Sequence, residues 1–349
     1  MSEQHPYRAA ISHVPQGTPR PLWSVMIPTY NCAKYLRQTL ASVLAQDPGP
    51  EVMQIAVIDD RSTKDDPAAV VEELGGGRVE FYQQPENVGN TRNYATCLQR
   101  SRGRLIHLLH GDDCVRDGFY LKMQQLFEKN PDIGAAFCRH ITIDENSHWQ
   151  FFSELEQQES GILNNWLERI ATIQRIQTPS IVVQRDVYEK LGGFDQRLRF
   201  LEDWEMCVRI AAHYSVGYEV EPLALYRAMR PGSLTNLSRY SGENVQEIYK
   251  AIQIYQSYLP NTLASQLPIK AKERWAFCIL EIAQMLFNVG DRTAAMAQIR
   301  EVLKHFYSFK VFKRAALLVI SQTMRQAWHT ASSAIKRGEN LRKSPDLAN

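Results

Sequence analysis

The sequence predicts an α/β fold, with a mostly parallel central sheet flanked by helices, and an all-helical C-terminal region behind it. Three observations lead to that class. Short apolar runs alternate with amphipathic stretches from Leu22 to about residue 138. A polar, turn-forming segment follows four of those runs, and from about Tyr240 onward only a helical period remains. Alternation of strand and helix is the pattern of parallel sheets with helices on their faces.

Residues 1–20 carry Pro6, Pro15, Pro19 and Gly17 with little periodicity and read as a flexible N-terminal arm. "LWSVMI" (Leu22 to Ile27) is the first strand. Asn31 is placed to cap a helix whose Leu36, Leu40 and Leu44 recur at four-residue spacing. "VMQIAVI" (Val52 to Ile58), "VEFY" (Val79 to Tyr82) and "RLIHLL" (Arg104 to Leu109) are the next strands, with helices over about 66–74 and 91–100 between them. A helix bearing Phe119, Met123, Leu126 and Phe127 follows, then the apolar run "IGAAFC". The stretch from Ile141 to Gln177 has no clear period. Order resumes with a strand-like Ile181 to Val183, a break at Gly192 and Gly193, and a helix that starts at Asp203.

Residues 21–238 are thus expected to form the α/β domain and 239–349 a helical region with a basic tail. In the latter, two amphipathic patterns flank Asn288-Val289-Gly290-Asp291, as in an αα-hairpin. Net charge is only +2, yet between Lys310 and Asn349 eight Lys/Arg stand against two Asp/Glu, so the basic surplus is terminal. That tail reads either as a basic amphipathic helix on anionic lipid or as a helix packed on the hairpin. The six cysteines show no C-x-x-C spacing, which argues against zinc and disulfides and for a reduced, cytoplasmic setting. Neither a signal peptide nor an apolar run of about 18 residues is found, so no spanning helix is expected.

Ligands of open α/β sheets sit at the carboxyl ends of the strands. Four polar segments fall there: "PTYN" (Pro28 to Asn31), "DDRST" (Asp59 to Thr63), "PENVGNTRN" (Pro85 to Asn93) and "HGDD" (His110 to Asp113). Each taken singly is an ordinary turn or cap, and their coincidence at successive strand ends points to a binding site. The adjacent carboxylates of Asp112 and Asp113 repel one another unless solvent or a cation compensates. Hard divalent ions bind through one or two such carboxylates plus substrate phosphates.

These four segments, the Gly192-Gly193-Phe194-Asp195 turn and the Glu202-Asp203-Trp204 cluster occur in an order that resembles the family 2 glycosyltransferases of GT-A fold, over roughly Leu22 to Thr235. "SVMIPTYN" looks like the family's opening strand and nucleotide loop, "VIDDRST" is similar to its Val-Asp-Asp-Gly-Ser segment, and "HGDD" falls where its Asp-x-Asp metal motif is expected. The resemblance implies a metal-dependent, inverting and non-processive transferase using Mn²⁺ or Mg²⁺ and a nucleotide-diphosphate sugar, with UDP-sugars favoured. It implies that Pro28, Tyr30 and Asn31 border the nucleotide base and that Asp60 accepts a hydrogen bond from it. Arg92 would lie near the diphosphate, Asp112 near ribose and metal, and Asp113 would be the more direct metal ligand. Asp203 would be the catalytic base, with Glu202 beside it on the ligand. The segment "YRAMRPGSLT" offers Arg227, Arg230, Ser233 and Thr235 to the diphosphate. Two positions depart from the pattern: His110 replaces the first acidic residue of Asp-x-Asp, and Arg61 replaces the glycine after the paired aspartates.

Transfer of a sugar from such a donor needs charge neutralised on the departing phosphate, which a Lewis-acid metal supplies, and a carboxylate to take the acceptor's proton. The acceptor implied is a glycan or lipid-linked hydroxyl in cell-surface polysaccharide, lipopolysaccharide or glycolipid assembly. No nucleic-acid partner is implied. Other classes fit less well. A dinucleotide oxidoreductase needs G-x-G-x-x-G between strand and helix, whereas Gly75-Gly76-Gly77 precedes a strand. A sugar-phosphate nucleotidyltransferase wants a glycine-rich loop after the first strand, and "PTYNCAKY" has none. A catalytically silent sugar-nucleotide-binding scaffold is suggested by His110 and opposed by the retained Asp113 and Asp203.

Overall fold

A computed structural model of the chain describes residues 6–228 and 241–342, with side chains described as far as Arg325. Its strands are β1 (Trp23–Thr29), β2 (Met53–Asp59), β3 (Glu80–Gln83), β4 (Leu105–Leu108), β5 (Cys114–Val115), β6 (Ile133–Ile143), β7 (Trp149–Phe152), β8 (Gly161–Ile162), β9 (Ile181–Gln184) and β10 (Ser215–Arg227). They form one sheet in the order β3-β2-β1-β4-β9-β6-β10-β5, with β7 on β6 and β8 on β10. The run β3-β2-β1-β4 is parallel, β9 is antiparallel to both β4 and β6, and β10 runs parallel to β6.

Helices α1 (Ala33–Leu44), α2 (Pro67–Gly75), α3 (Asn90–Arg100) and α4 (Phe119–Lys129) supply the crossovers. All seven residues of β1 and of β2 are buried, as expected for strands covered on both faces. Leu36, Leu40 and Val43 of α1 pack into the same core as Val25, Ile27, Ile55 and Val57. The α/β alternation read from the sequence is therefore the architecture observed.

Three local expectations are corrected. Asn31 does not cap α1. The Ala33 N–H instead donates to Asp65 Oδ2 at 2.8 Å, while Asn31 sits at φ 49° and its amide oxygen accepts from the Thr63 and Lys64 N–H groups. A side chain facing across the loop mouth joins two loops and leaves the cap to a neighbour. Residues 7–12 are not a loose arm. Ile11 is buried, the carbonyl of Ala9 accepts from the Gly193 N–H at 2.8 Å, and Arg8 lies between Asp195 and Glu205. Burial of an isoleucine and pairing of a half-buried guanidinium outweigh the low local periodicity. The irregular stretch after Ile141 holds β7, β8 and the short α5 (Trp166–Ile170), and the 13-residue β10 was not foreseen, since Gly217 and Pro222 break its pattern. Its pairing with β6 shifts register around Pro222, so the strand bends there.

After β9 come α6 (Arg185–Leu191) and α7 (Glu202–His213). The chain then divides into two compact units: Ser238–Gln246 with Lys272–Asn349 form the second, and Met1–Leu237 with Glu247–Ala271 form the first. That unit takes in most of α8 (Glu243–Gln256) and the short α9 (Asn261–Ala264). The Tyr255 hydroxyl donates to the Ala171 carbonyl at 2.6 Å, and its ring meets Trp204 edge-on.

The second unit is helical. It contains the greater part of α10 (Leu267–Asn288), α11 (Arg292–His305) and α12 (Phe309–Arg342). Asp291 caps α11 by accepting from the Ala294 N–H at 2.9 Å, where the sequence placed the hairpin turn. No helix among the described residues is long and apolar enough to cross a membrane.

Candidate functional site

The carboxyl ends of β1, β2 and β4 carry three loops that are laced together by short backbone bonds. The Asp60 N–H donates to the Thr29 carbonyl at 2.9 Å and the Gly111 N–H to the Pro28 carbonyl at 3.0 Å. Gly111 lets the two loops cross closely there. A Cβ there would stand 3.0 Å from Thr29 Oγ1 and 3.1 Å from Cys32 Sγ. Pro28 is buried in β1, whereas Tyr30 is exposed at the mouth.

Both aspartates at the end of β2 face inward. Asp59 accepts from the Ser62 hydroxyl and N–H and from Gln83. Asp60 accepts from the Val88 N–H at 2.8 Å and the Gly89 N–H at 3.0 Å, and burial pushes its carboxyl above the usual range despite those bonds. Gly89 at φ 83° opens the loop so that two successive amides reach one carboxylate. Arg61 adopts φ 62°, a left-handed conformation that costs a non-glycine residue about 1 kcal/mol. Its guanidinium bonds Gln83 at 3.0 Å. Arg92 is exposed on the first turn of α3.

At the end of β4 the chain turns through His110-Gly111-Asp112-Asp113. The potential ligand atoms of His110, Asp112 and Asp113 lie within 4.8 Å of one another, the only such group of three among the described residues. His110 Nδ1 stands 3.7 Å from Asp113 Oδ2. The other oxygen of Asp113 accepts from the Arg227 N–H at 2.7 Å, so the carboxylate is fixed from one side. Two carboxylate oxygens and one imidazole nitrogen form a donor set that fits a divalent first-row ion, and the nitrogen suits Mn²⁺ better than Mg²⁺.

Arg227 is where one expectation fails. Its guanidinium is buried and is fastened to the Asp112 carbonyl, the Asp144 carbonyl, Ser147 Oγ and Gln38 Oε1, with the Tyr35 ring 4.6 Å away. A cation so enclosed braces the acidic turn and is not presented to a diphosphate. Arg230, Ser233 and Thr235 lie outside the described residues.

Glu202 and Asp203 begin α7, where the helix dipole favours negative charge. Their environments differ. Asp203 is partly open. It accepts from its neighbour's N–H at 2.7 Å, from Gln174 at 2.7 Å and from Thr178 at 3.4 Å. Desolvation nonetheless raises its carboxyl to about 6. With Thr178 it forms the polar edge of a pocket walled mainly by apolar groups such as Ile176, Phe194 and Met206. Glu202 is buried, and burial first, then the adjacent Asp203, push its carboxyl well above the carboxylate range. One oxygen accepts from Asn90 Nδ2 at 2.8 Å, and the other has no hydrogen-bond partner among the described residues. Burial and the neighbouring Asp203 thus favour the neutral form of Glu202, which holds the start of α3 through Asn90, and the expectation that it faces a ligand is corrected.

Tyr94 joins the two acidic centres. Its ring stacks on His110 at 5.3 Å and meets Phe194 edge-on, and Glu202, Asp203 and Asp112 all add to the burial that pushes its hydroxyl well up. Sequence reasoning missed Tyr94, Gln174, Thr178 and Asn90. Only Asn90 and Tyr94 carried a signal, by their spacing of four on the first turns of α3.

Residues 24–192 match the family model described as glycosyl transferase family 2. An uncharacterized glycosyltransferase of Rickettsia typhi is 26% identical over 210 residues, covering 60% of this chain and 64% of that protein. Among solved structures, S. aureus TarS in complex with UDP-GlcNAc aligns with a TM-score of 0.59 at 14% identity, over 88% of this chain and 92% of that one. The mannosyltransferase PcManGT of Pyrobaculum calidifontis, in complex with GDP-Man and Mn²⁺, aligns with a TM-score of 0.56 at 17% identity, over 92% and 86%. The shared fold is thus the GT-A arrangement of sheet and helices.

Proposed function

The chain belongs to glycosyl transferase family 2, and from that premise we propose that it moves a single sugar from a nucleotide-diphosphate sugar to a hydroxyl acceptor with inversion at the anomeric carbon. The observation that carries this reading is the meeting, around Tyr94, of the His110-Asp112-Asp113 group and the raised carboxyl of Asp203.

In this mechanism Asp203 takes the proton of the acceptor hydroxyl as that oxygen attacks. A base with a pKa of about 6 is ionised at neutral pH and still basic enough to help. Gln174 and Thr178, by donating to one carboxylate oxygen, hold the other face of the group for the acceptor. Attack from the side opposite the leaving nucleotide inverts the centre. His110, Asp112 and Asp113 would hold Mn²⁺ or Mg²⁺, which when bound supplies Lewis-acid neutralisation of the departing diphosphate. Arg227 keeps that turn in place through the Asp113 carboxylate and the Asp112 carbonyl. Tyr30, exposed at the mouth, is assigned to the nucleotide base, with Pro28 and Asn31 framing it. Asp60 shapes that loop by holding the Val88 and Gly89 amides, and each of its oxygens retains a lone pair for the base. Arg92, exposed on the first turn of α3, is assigned to the diphosphate.

The solved relatives bind UDP-GlcNAc in one case and GDP-Man with Mn²⁺ in the other. Their ligands support a nucleotide-sugar donor here, and we favour UDP-sugars. A glycan or lipid-linked acceptor in cell-surface polysaccharide assembly completes the proposal. Six free cysteines support a cytoplasmic setting. The test is release of nucleoside diphosphate from a panel of UDP- and GDP-sugars with Mn²⁺. A silent scaffold releases none.

A further inference from the structure

α12 has two apolar faces, and only one of them is used. Its start is defined by Ser308, whose hydroxyl accepts from the Val311 N–H at 3.2 Å as a helix cap. Val311, Ala315 and Leu318 are buried, at spacings of four and three that mark one stripe of the helix turned inward. Roughly opposite, Phe309, Phe312, Leu317, Ile320 and Met324 are exposed, by 76%, 49%, 52%, 55% and 67%. A second apolar stripe of that size on a surface helix is uncommon without an occupant. Tyr307, exposed by 75%, precedes it and lies 6.5 Å from the Phe312 ring.

The charge around the stripe selects the occupant. Lys313 lies on the same side as Phe309 and Ile320, and Lys310 and Arg314 flank it. All three are exposed, and only Lys310 meets a carboxylate, Glu273 at 3.7 Å, among the described residues. Along Phe309–Arg342 seven Lys/Arg face a single acidic residue, Glu339. Aromatic rings beside lysines, on a helix too polar to span, are the composition of an interfacial membrane helix. A protein partner would need an acidic groove, whereas an anionic bilayer offers negative charge and an apolar interior at matching depth.

We propose that the exposed stripe of α12, Phe309, Phe312, Leu317, Ile320 and Met324 with Lys310, Lys313 and Arg314, is a docking surface for an anionic phospholipid bilayer. The helix lies in the interface, its inward stripe held by the protein and its outward stripe set among acyl chains. This inference is independent of the catalytic reading.

The full chain is sedimented with vesicles of equal parts phosphatidylcholine and phosphatidylglycerol, and with phosphatidylcholine alone, at low and at high salt. The proposal predicts binding to the anionic vesicles that high salt weakens, and little binding to neutral ones. Joint replacement Phe309→Ser, Ile320→Gln lowers vesicle affinity at least tenfold, and Lys310→Gln, Lys313→Gln, Arg314→Gln together lower it by about a hundredfold, each charge near the surface counting for about fivefold. Donor turnover and thermal unfolding of the same variants stay at the parent level, so failure of docking and failure of catalysis are read separately. Absence of binding to anionic vesicles, equal binding to neutral ones, or undiminished binding by the apolar variant overturns it. So does a dimer, seen by light scattering, that the apolar variant dissolves, because the stripe then belongs to a second copy of the chain.

Discussion

The Tyr94 ring lies nearly parallel to that of His110, with centroids 5.3 Å apart and planes inclined by 16°. A side chain from α3 therefore fixes the orientation of the imidazole at the acidic turn, in the way that outer groups orient metal ligands. Tyr94→Leu is predicted to raise the Mn²⁺ concentration needed for half-maximal activity by about tenfold. Tyr94→Phe, which keeps the stack, is predicted to leave it nearly unchanged. Metal titrations of donor turnover distinguish the two.

Asp203, raised to about 6 by burial, is predicted to make activity depend on pH. Below that value the base is protonated, so kcat/KM is expected to fall tenfold per pH unit. Stability moves the other way. The folded carboxyl holds its proton more tightly than the unfolded one, so the folded state is favoured at low pH. That advantage is lost as pH rises from about 4 to about 6. Partial exposure of Asp203 keeps the effect to about 1 to 3 kcal/mol. Asp203→Asn is thus predicted to unfold at the same or a higher temperature than the parent near pH 7 while losing about a hundredfold or more in turnover.

Glu202 gives the contrasting case. A carboxyl whose burial favours the neutral form can be replaced by its amide with little change, and Gln retains an oxygen to accept from Asn90. Glu202→Gln is expected to keep turnover within a few-fold of the parent. Glu202→Ala removes one of the two acceptors of the Asn90 amide, leaving the Arg199 carbonyl, and is expected to cost about 1 to 3 kcal/mol in urea unfolding.

On the proposed reading His110 sets the choice of ion. Replacing its nitrogen by a carboxylate, His110→Asp, gives an all-oxygen donor set and is predicted to shift the preference from Mn²⁺ toward Mg²⁺. The ratio of turnover with each ion checks this. An unchanged ratio would mean that the imidazole is not a ligand.

Much of the α/β architecture was readable in the sequence because β1, β2 and β4 are buried along their whole length and so appear as unbroken apolar runs, as in "VMQIAVI". β10 was not readable for the opposite reason. Its 13 residues bend at Pro222 and contain Gly217, and the sheet rather than the local pattern holds it straight enough to pair with β6. The same holds at the site. Asp112, Asp113 and Asp203 advertise themselves as charge at element ends, whereas Gln174 and Thr178 reach Asp203 from a segment about 25 to 29 positions away and carry no local mark. Arg227 was misread because a positive charge near a phosphate site suggests a ligand, and only its burial among four oxygen acceptors reveals a brace.

The most direct test compares nucleoside diphosphate release by the parent and by Asp203→Asn, with UDP- and GDP-sugars, with Mn²⁺ and after chelation by EDTA. The account predicts turnover by the parent that chelation abolishes, and a loss of about a hundredfold or more in the variant with nucleotide affinity unchanged. Turnover that survives EDTA, or a variant as active as the parent, would contradict it.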